Sequence, residues 1–159
     1  GLARWTDADA YEFPAYWTED APATWSSHKL GTLDSFTSSS VAFSANQDGS
    51  IIVGYAYPNS TRGECSVFWD RSVLDGNGLP KANLTKDYLA SKGVDVSEWT
   101  ELRRTYSAYT SAGGLTYIVG DGTWKADGLT RGFLVIIPEP ATMSLLALGG
   151  LALLRRRSA

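Results

Sequence analysis

The chain has 159 residues, enough for one ordinary domain or two very small ones. Hydrophobic residues make up 43% and charged residues 19%, a mixture that excludes wholesale disorder. The net charge of −3 becomes −6 once Arg155, Arg156 and Arg157 are set aside, so the body has no basic face and a nucleic-acid partner is not expected.

Cys65 is the single cysteine and His28 the single histidine. The first excludes an intrachain disulfide and a multi-cysteine metal site, and the second excludes a paired-histidine zinc motif. No cofactor is expected, and calcium at strand-end aspartates is only a weak candidate. Aromatics reach 12%, with six Trp and eight Tyr beside sixteen Gly. That balance favours short strands and tight turns over a helical bundle. The expected fold class is all-β, with degenerate antiparallel strand repeats and one short inserted helix, ending in an apolar transmembrane helix.

At the start, Gly1-Leu2-Ala3-Arg4-Trp5 has no initiator Met, basic opening or apolar run. Nothing there reads as a secretory signal. An exported protein of this sequence is therefore expected to lack its true amino terminus. Tyr11, Phe13, Tyr16, Trp17 and Trp25 form an aromatic group. It reads first as strand core, although exposed rings of this kind stack on sugars and would suit an exopolysaccharide partner. Ser26-Ser27-His28, with Asp34, invites a nucleophile-and-base reading. Adjacent residues rarely face one another in catalytic geometry, and no nucleophile elbow is present. A polar loop before a strand at Leu30 is the expectation.

Two segments of the body align at a constant offset of 66. Ala42-Phe43-Ser44-Ala45 matches Ala108-Tyr109-Thr110-Ser111, and Ser50-Ile51-Ile52-Val53-Gly54 matches Thr116-Tyr117-Ile118-Val119-Gly120. Val67-Phe68-Trp69 matches Phe133-Leu134-Val135. Three matches at one offset indicate an internal repeat. Ala3-Arg4-Trp5-Thr6 echoes Val67-Phe68-Trp69-Asp70, so the chain is expected to start inside a preceding unit. In each unit a strand, a hairpin turn and a returning strand lead through a polar loop to a third strand. Asp48-Gly49 suits the first turn, whereas Gly113-Gly114-Leu115 replaces it in the second. Gly54 and Gly120 either stop a strand or allow close backbone approach.

Between the units, Asp75-Gly76-Asn77-Gly78 reads as a turn. Leu84 to Lys92 has helical spacing through Leu84, Tyr88 and Leu89, with Gly93 placed as its carboxyl-terminal cap. Trp99 and Leu102 either cover this helix or begin the next strand. Asp48, Asp75 and Asp121 sit in Asp-Gly dipeptides and are read as turn residues, while Asp70 follows a strand. No catalytic pair stands out, and the body is expected to be non-enzymatic.

The body resembles the extracellular HAF-repeat proteins, through Leu30-Gly31-Thr32-Leu33, residues 44–54, Val67-Phe68-Trp69 and the stretch from Asn83 through Trp99 to Gly120. The resemblance implies a propeller-like architecture over residues 1–137 and carries no established enzymatic activity. With two to three units, a closed ring of four or more blades is not expected from this chain alone.

The tail is the most specific feature. Ala141 to Leu154 reads ATMSLLALGGLALL, without a charge, between Pro138-Glu139-Pro140 and Arg155-Arg156-Arg157. As a helix it would span about 21 Å, against roughly 30 Å of bilayer core. Arginines can snorkel to extend that span, and the prolines set a sharp start. Positive flanks stay cytoplasmic, which would leave residues 1–137 on the far side of the membrane. The order Pro-Glu-Pro, apolar run and terminal Arg cluster over residues 138–159 resembles the PEP-CTERM sorting signal of bacterial exported proteins. The resemblance implies an exosortase as processing partner, removal of the tail near Pro138-Glu139-Pro140, and a cell-surface or matrix destination. The rival expectation is a carbohydrate-binding or glycan-hydrolysing β-domain delivered by the same signal.

Overall fold

A computed structural model describes residues 3–6, 12–33, 39–57 and 63–138. These form three antiparallel sheets. The first holds β1 (Ala3–Thr6), β2 (Glu12–Ala21) and β3 (Thr24–Lys29) in the order β1-β2-β3. The second holds β4 (Ser40–Ala45), β5 (Ile51–Ala56), β6 (Cys65–Leu74) and β7 (Pro80–Leu84), in chain order. A helix, α1 (Thr85–Ser91), leads to the third, made of β8 (Trp99–Thr110), β9 (Leu115–Trp124) and β10 (Thr130–Pro138) in the order β10-β9-β8.

The second sheet is the middle layer, and its strand alternation shows why. Successive side chains of a strand point to opposite faces. Ile52, Val67, Trp69 and Ala82 turn one way, into a core shared with Leu30 and Leu33 that follow the first sheet. Val53 and Phe68 turn the other way, onto Leu102, Ala108, Ile118 and Phe133 of the third sheet. A sheet buried on both faces needs near-continuous apolar strands, which Ile51-Ile52-Val53 and Val67-Phe68-Trp69 supply. Polar tethers fix the layers. The Trp69 Nε1–H donates to the Gly31 carbonyl at 2.8 Å, and the Gly31 N–H donates to the Pro80 carbonyl at 2.9 Å.

The 66-residue repeat is visible in the pairing. Ile52 pairs with Trp69, Val53 with Phe68 and Gly54 with Val67; the third sheet pairs Ile118 with Val135, Val119 with Leu134 and Gly120 with Phe133. The first hairpins of the two units diverge. The Asn46 N–H donates to the Ile51 carbonyl, whereas the Ser111 N–H donates to the Leu115 carbonyl across a loop one residue shorter. The register of β8 is displaced by three residues as a result: Gly54 faces Ala42, but Gly120 faces Thr105, with a bulge beside each pair, at Ala42/Ser44 and Thr105/Ser107. Both glycines lie where backbones approach closely. A Cβ on Gly54 would stand 1.9 Å from the Val41 carbonyl oxygen, and one on Gly120 would stand 2.2 Å from that of Arg104. They permit close approach and do not end their strands.

The helix occupies the expected place. Gly93 adopts φ +79°, its N–H donates to the Ala90 carbonyl, and the Val94 N–H donates to the Leu89 carbonyl. That pair of bonds is a Schellman closure. Leu89 is buried and Tyr88 stacks on Phe68 with ring centroids 3.9 Å apart. Trp99 opens β8.

Other expectations change. Ser26-Ser27-His28 is part of β3, and Leu30 lies just beyond it, buried. Polar side chains on a sheet face account for that stretch. Asp121 is not a turn residue. It sits within β9, paired with Arg104 and Gly132, and Gly122 serves the close approach of Glu101. Stacked antiparallel sheets are present, but the described residues form no closed propeller or barrel. The expected transmembrane helix over 141–154 lies outside the described residues. Among those described, no helix is long and apolar enough to cross a membrane.

Candidate functional site

Two regions bear on function: a groove between the first two sheets and the carboxyl-terminal junction. The groove encloses about 380 Å³. Strand β2 from Ala15 to Thr18 forms one wall; residues 42–49, Ile52 and Arg71 form the other. The turn of the β4–β5 hairpin shapes its rim. Asn46, almost fully buried, accepts from the Ile51 N–H and donates to Ser50 and Thr110, each at 3.0 Å. This anchors the rim to the third sheet. The Ser50 hydroxyl and N–H beside Asp48 hold its carboxyl below the ordinary aspartate range, so it is charged at neutral pH.

Arg71 crosses the groove. Its NH1 donates to the Gly49 carbonyl at 3.1 Å, and its guanidinium lies 4.5 Å from the centre of the Tyr16 ring. Tyr16 also stacks with His28 at 4.9 Å. The ring that a sugar would stack on is therefore already engaged. His28 serves the sheet: its Nε2 is 2.8 Å from Thr18 Oγ1, and that hydroxyl in turn donates to Asp20 at 3.0 Å. With its proton committed to Asp20, the Thr18 oxygen accepts from an Nε2–H. Ser26 donates to the same Asp20, so the serine and histidine are separately engaged.

Of the sequence-derived aromatic group, the structure brings Tyr16 and Trp17 to the groove lining and leaves Trp25 60% exposed. Tyr11, Asp34 and the Phe13 side chain lie outside the described residues. The carboxylates do not converge. Asp48 and Asp75 accept N–H groups of their own turns at 2.8–3.0 Å; Asp70, which lies within β6 and does not follow a strand as expected, accepts the Ser72 N–H at 2.9 Å; and Asp121 accepts from the Tyr106 hydroxyl at 2.7 Å. Among the described residues, no three His, Cys, Asp or Glu side chains group as a metal site.

Sequence reading missed the strongest electrostatic feature. Glu64, 9% exposed at its side chain, receives Arg104 Nε at 2.6 Å and NH2 at 2.5 Å, together with the Tyr57 hydroxyl at 2.9 Å. These bonds join one end of the middle sheet, where β5 finishes and β6 begins, to β8. The available signal was an Arg103-Arg104 pair in an acidic chain.

At the other region, β10 pairs with β9 as far as Pro138 opposite Leu115. The first proline of Pro138-Glu139-Pro140 therefore still belongs to the last strand of the body. Glu139, Pro140, the apolar run and Arg155, Arg156 and Arg157 lie outside the described residues. Residues 137–158 match the family of the PEP-CTERM protein-sorting motif. The chain thus carries an exosortase-type sorting signal, which directs export toward the cell surface. No curated protein and no solved structure matched the chain. The HAF-repeat resemblance of the body gained no support from them.

Proposed function

We propose that the chain is a non-enzymatic structural or adhesive protein of the cell surface or extracellular matrix. Its β-sheet body would be delivered by an exosortase that removes the tail near Pro138-Glu139-Pro140. The apolar run 141–154 holds the precursor in the membrane, and Arg155, Arg156 and Arg157 keep its end cytoplasmic. The observation that carries this reading is the sorting motif beginning at the last strand of a layered β body. In this reading the stacked sheets are propeller-like blades.

The rival reading is glycan binding or hydrolysis, which needs a free aromatic platform or two carboxylates flanking a cleft. Tyr16 is engaged and Asp48 is the one carboxylate in the groove lining, so the structural reading takes precedence. Fractionation tests the proposal. The exported chain, expressed in cells with and without an exosortase, should reach the surface fraction only with the enzyme. Equal surface delivery in both would contradict it.

A further inference from the structure

The outer face of the third sheet changes character along its strands. At the Pro138 end, register sets Tyr109 beside Tyr117 and Tyr117 beside Ile136, and the next row sets Val119 beside Leu134. These side chains carry no charge, and four of them are bare: Tyr109 is 50% exposed, Val119 42%, Leu134 61% and Ile136 48%. The Tyr109 and Tyr117 ring centroids lie 5.9 Å apart on this face. Their neighbours along the strands, Ala108, Ile118 and Ile137, are buried against the middle sheet. Toward the other end the rows turn polar, with Arg104 opposite Asp121 and Glu101 opposite Thr123. One face thus has an apolar half and a charged half.

An exposed apolar patch with a polar border marks an interaction site. The course of the chain indicates what meets this one. Strand β10 runs from the charged half to the apolar half and has Pro138 as its last residue. Ala141, where the uncharged run begins, is three residues further on, so its Cα lies at most about 11 Å from that of Pro138. Along β10, Ile136 stands about 7 Å before Pro138 and Leu134 about 14 Å, whereas Thr130 in the charged half is about 27 Å away. A run held in a bilayer therefore keeps the apolar half within reach of the lipid surface and the charged half away from it. Tyrosine suits such a boundary, because its ring is apolar and its hydroxyl can stay in water.

We propose that the apolar half of the outer face of β8–β10 rests on the surface of the lipid bilayer, so that the body leans on the membrane where the tail enters it. The proposal rests on the reading that residues 141–154 hold the precursor in the membrane. A run so held is not free to cover this face in its own molecule. The contact gives the body one orientation and keeps Pro138-Glu139-Pro140 at the boundary between lipid and water. The tether supplies the proximity, so removal of the tail leaves only a weak, reversible attachment.

The test is spin-label accessibility in the full chain, reconstituted into vesicles of phosphatidylethanolamine and phosphatidylglycerol. Nitroxides are attached one at a time through Leu134→Cys, Ile136→Cys, Thr130→Cys and Leu146→Cys, each in a Cys65→Ala background. Unchanged far-UV circular dichroism and thermal transitions establish that each labelled chain folds. Oxygen concentrates in lipid and a nickel chelate stays in water, so their collision rates with the label distinguish the two surroundings. Oxygen collisions should dominate at Leu134 and Ile136, as at Leu146, and nickel-chelate collisions should dominate at Thr130. Lipid at Leu146 with water at Leu134 and Ile136 overturns the contact and leaves the anchor standing. Water at Leu146 as well overturns the anchor and the contact together. Low collision rates with both reagents at Leu134 and Ile136 also overturn the contact, because protein, from the tail or a second copy, would then be the cover.

Discussion

Glu64 and Arg104 form a two-point ion pair, with Nε and NH2 on separate carboxylate oxygens at 2.6 and 2.5 Å, between the middle and third sheets. A paired fork of this kind fixes direction as well as distance. It sets β8 against the start of β6 at one point, while the apolar faces determine only that the sheets stack. Glu64→Gln keeps the volume but loses the charge, and should cost about 1–3 kcal/mol in urea unfolding.

The same pair predicts acid sensitivity. Hydrogen bonds from Arg104, followed by the Tyr57 bond and the charges of Arg104 and Arg103, hold the Glu64 carboxyl below its ordinary 4.5 against opposing burial. A group depressed on folding contributes its stability above its unfolded value and loses it as pH falls through the folded one. The unfolding midpoint should therefore fall from pH 4.5 downward more steeply in wild type than in Glu64→Gln. Parallel curves would separate Glu64 from acid stability.

Gly54→Ala and Gly120→Ala place a Cβ against backbone carbonyls at 1.9 and 2.2 Å. Neither carbonyl can move without breaking its sheet, so each should cost on the order of 3 kcal/mol. Gly76→Ala meets nothing within 4 Å and should stay within roughly 0.5 kcal/mol of wild type. Thermal denaturation of the three variants checks the contrast.

Ser66, Thr85 and Thr105 form a buried hydroxyl cluster where β6, α1 and β8 meet. Ser66 donates to Thr85 at 2.6 Å and bonds Thr105 through the same oxygen. Ser66→Ala strands both threonines away from water. The expected loss is about 1–3 kcal/mol, with faster amide exchange in α1 as its local signature.

Legibility in the sequence followed the range of the interaction. The offset of 66 captured β5–β6 and β9–β10 in register, because apolar alternation and the two close-approach glycines leave local marks. Gly93 was readable for the same reason: a left-handed residue after an apolar turn is a local requirement. The hairpin β2–β3 was not readable. Its inner face carries Thr18, Asp20, Ser26 and His28, joined across the strands through Thr18 and Asp20, which look like loop residues one at a time. Asp121 misled in the same way, because Asp-Gly favours a turn only where the chain has no strand partners on both sides. The Glu64–Arg104 pair joins residues far apart in the chain, beyond the reach of any periodicity. The tail's three-part order was fully readable, and it is the portion the family match supports.

The central claim is that this body is delivered by a processed sorting signal. The direct measurement is mass spectrometry of the mature carboxyl terminus from exosortase-containing cells, for the native chain and for a variant with Pro138, Glu139 and Pro140 all changed to alanine. Loss of residues beyond the motif in the native chain, with an intact tail in the variant, is the predicted result. An intact tail in both would contradict the account and leave residues 141–154 as a permanent part of the protein.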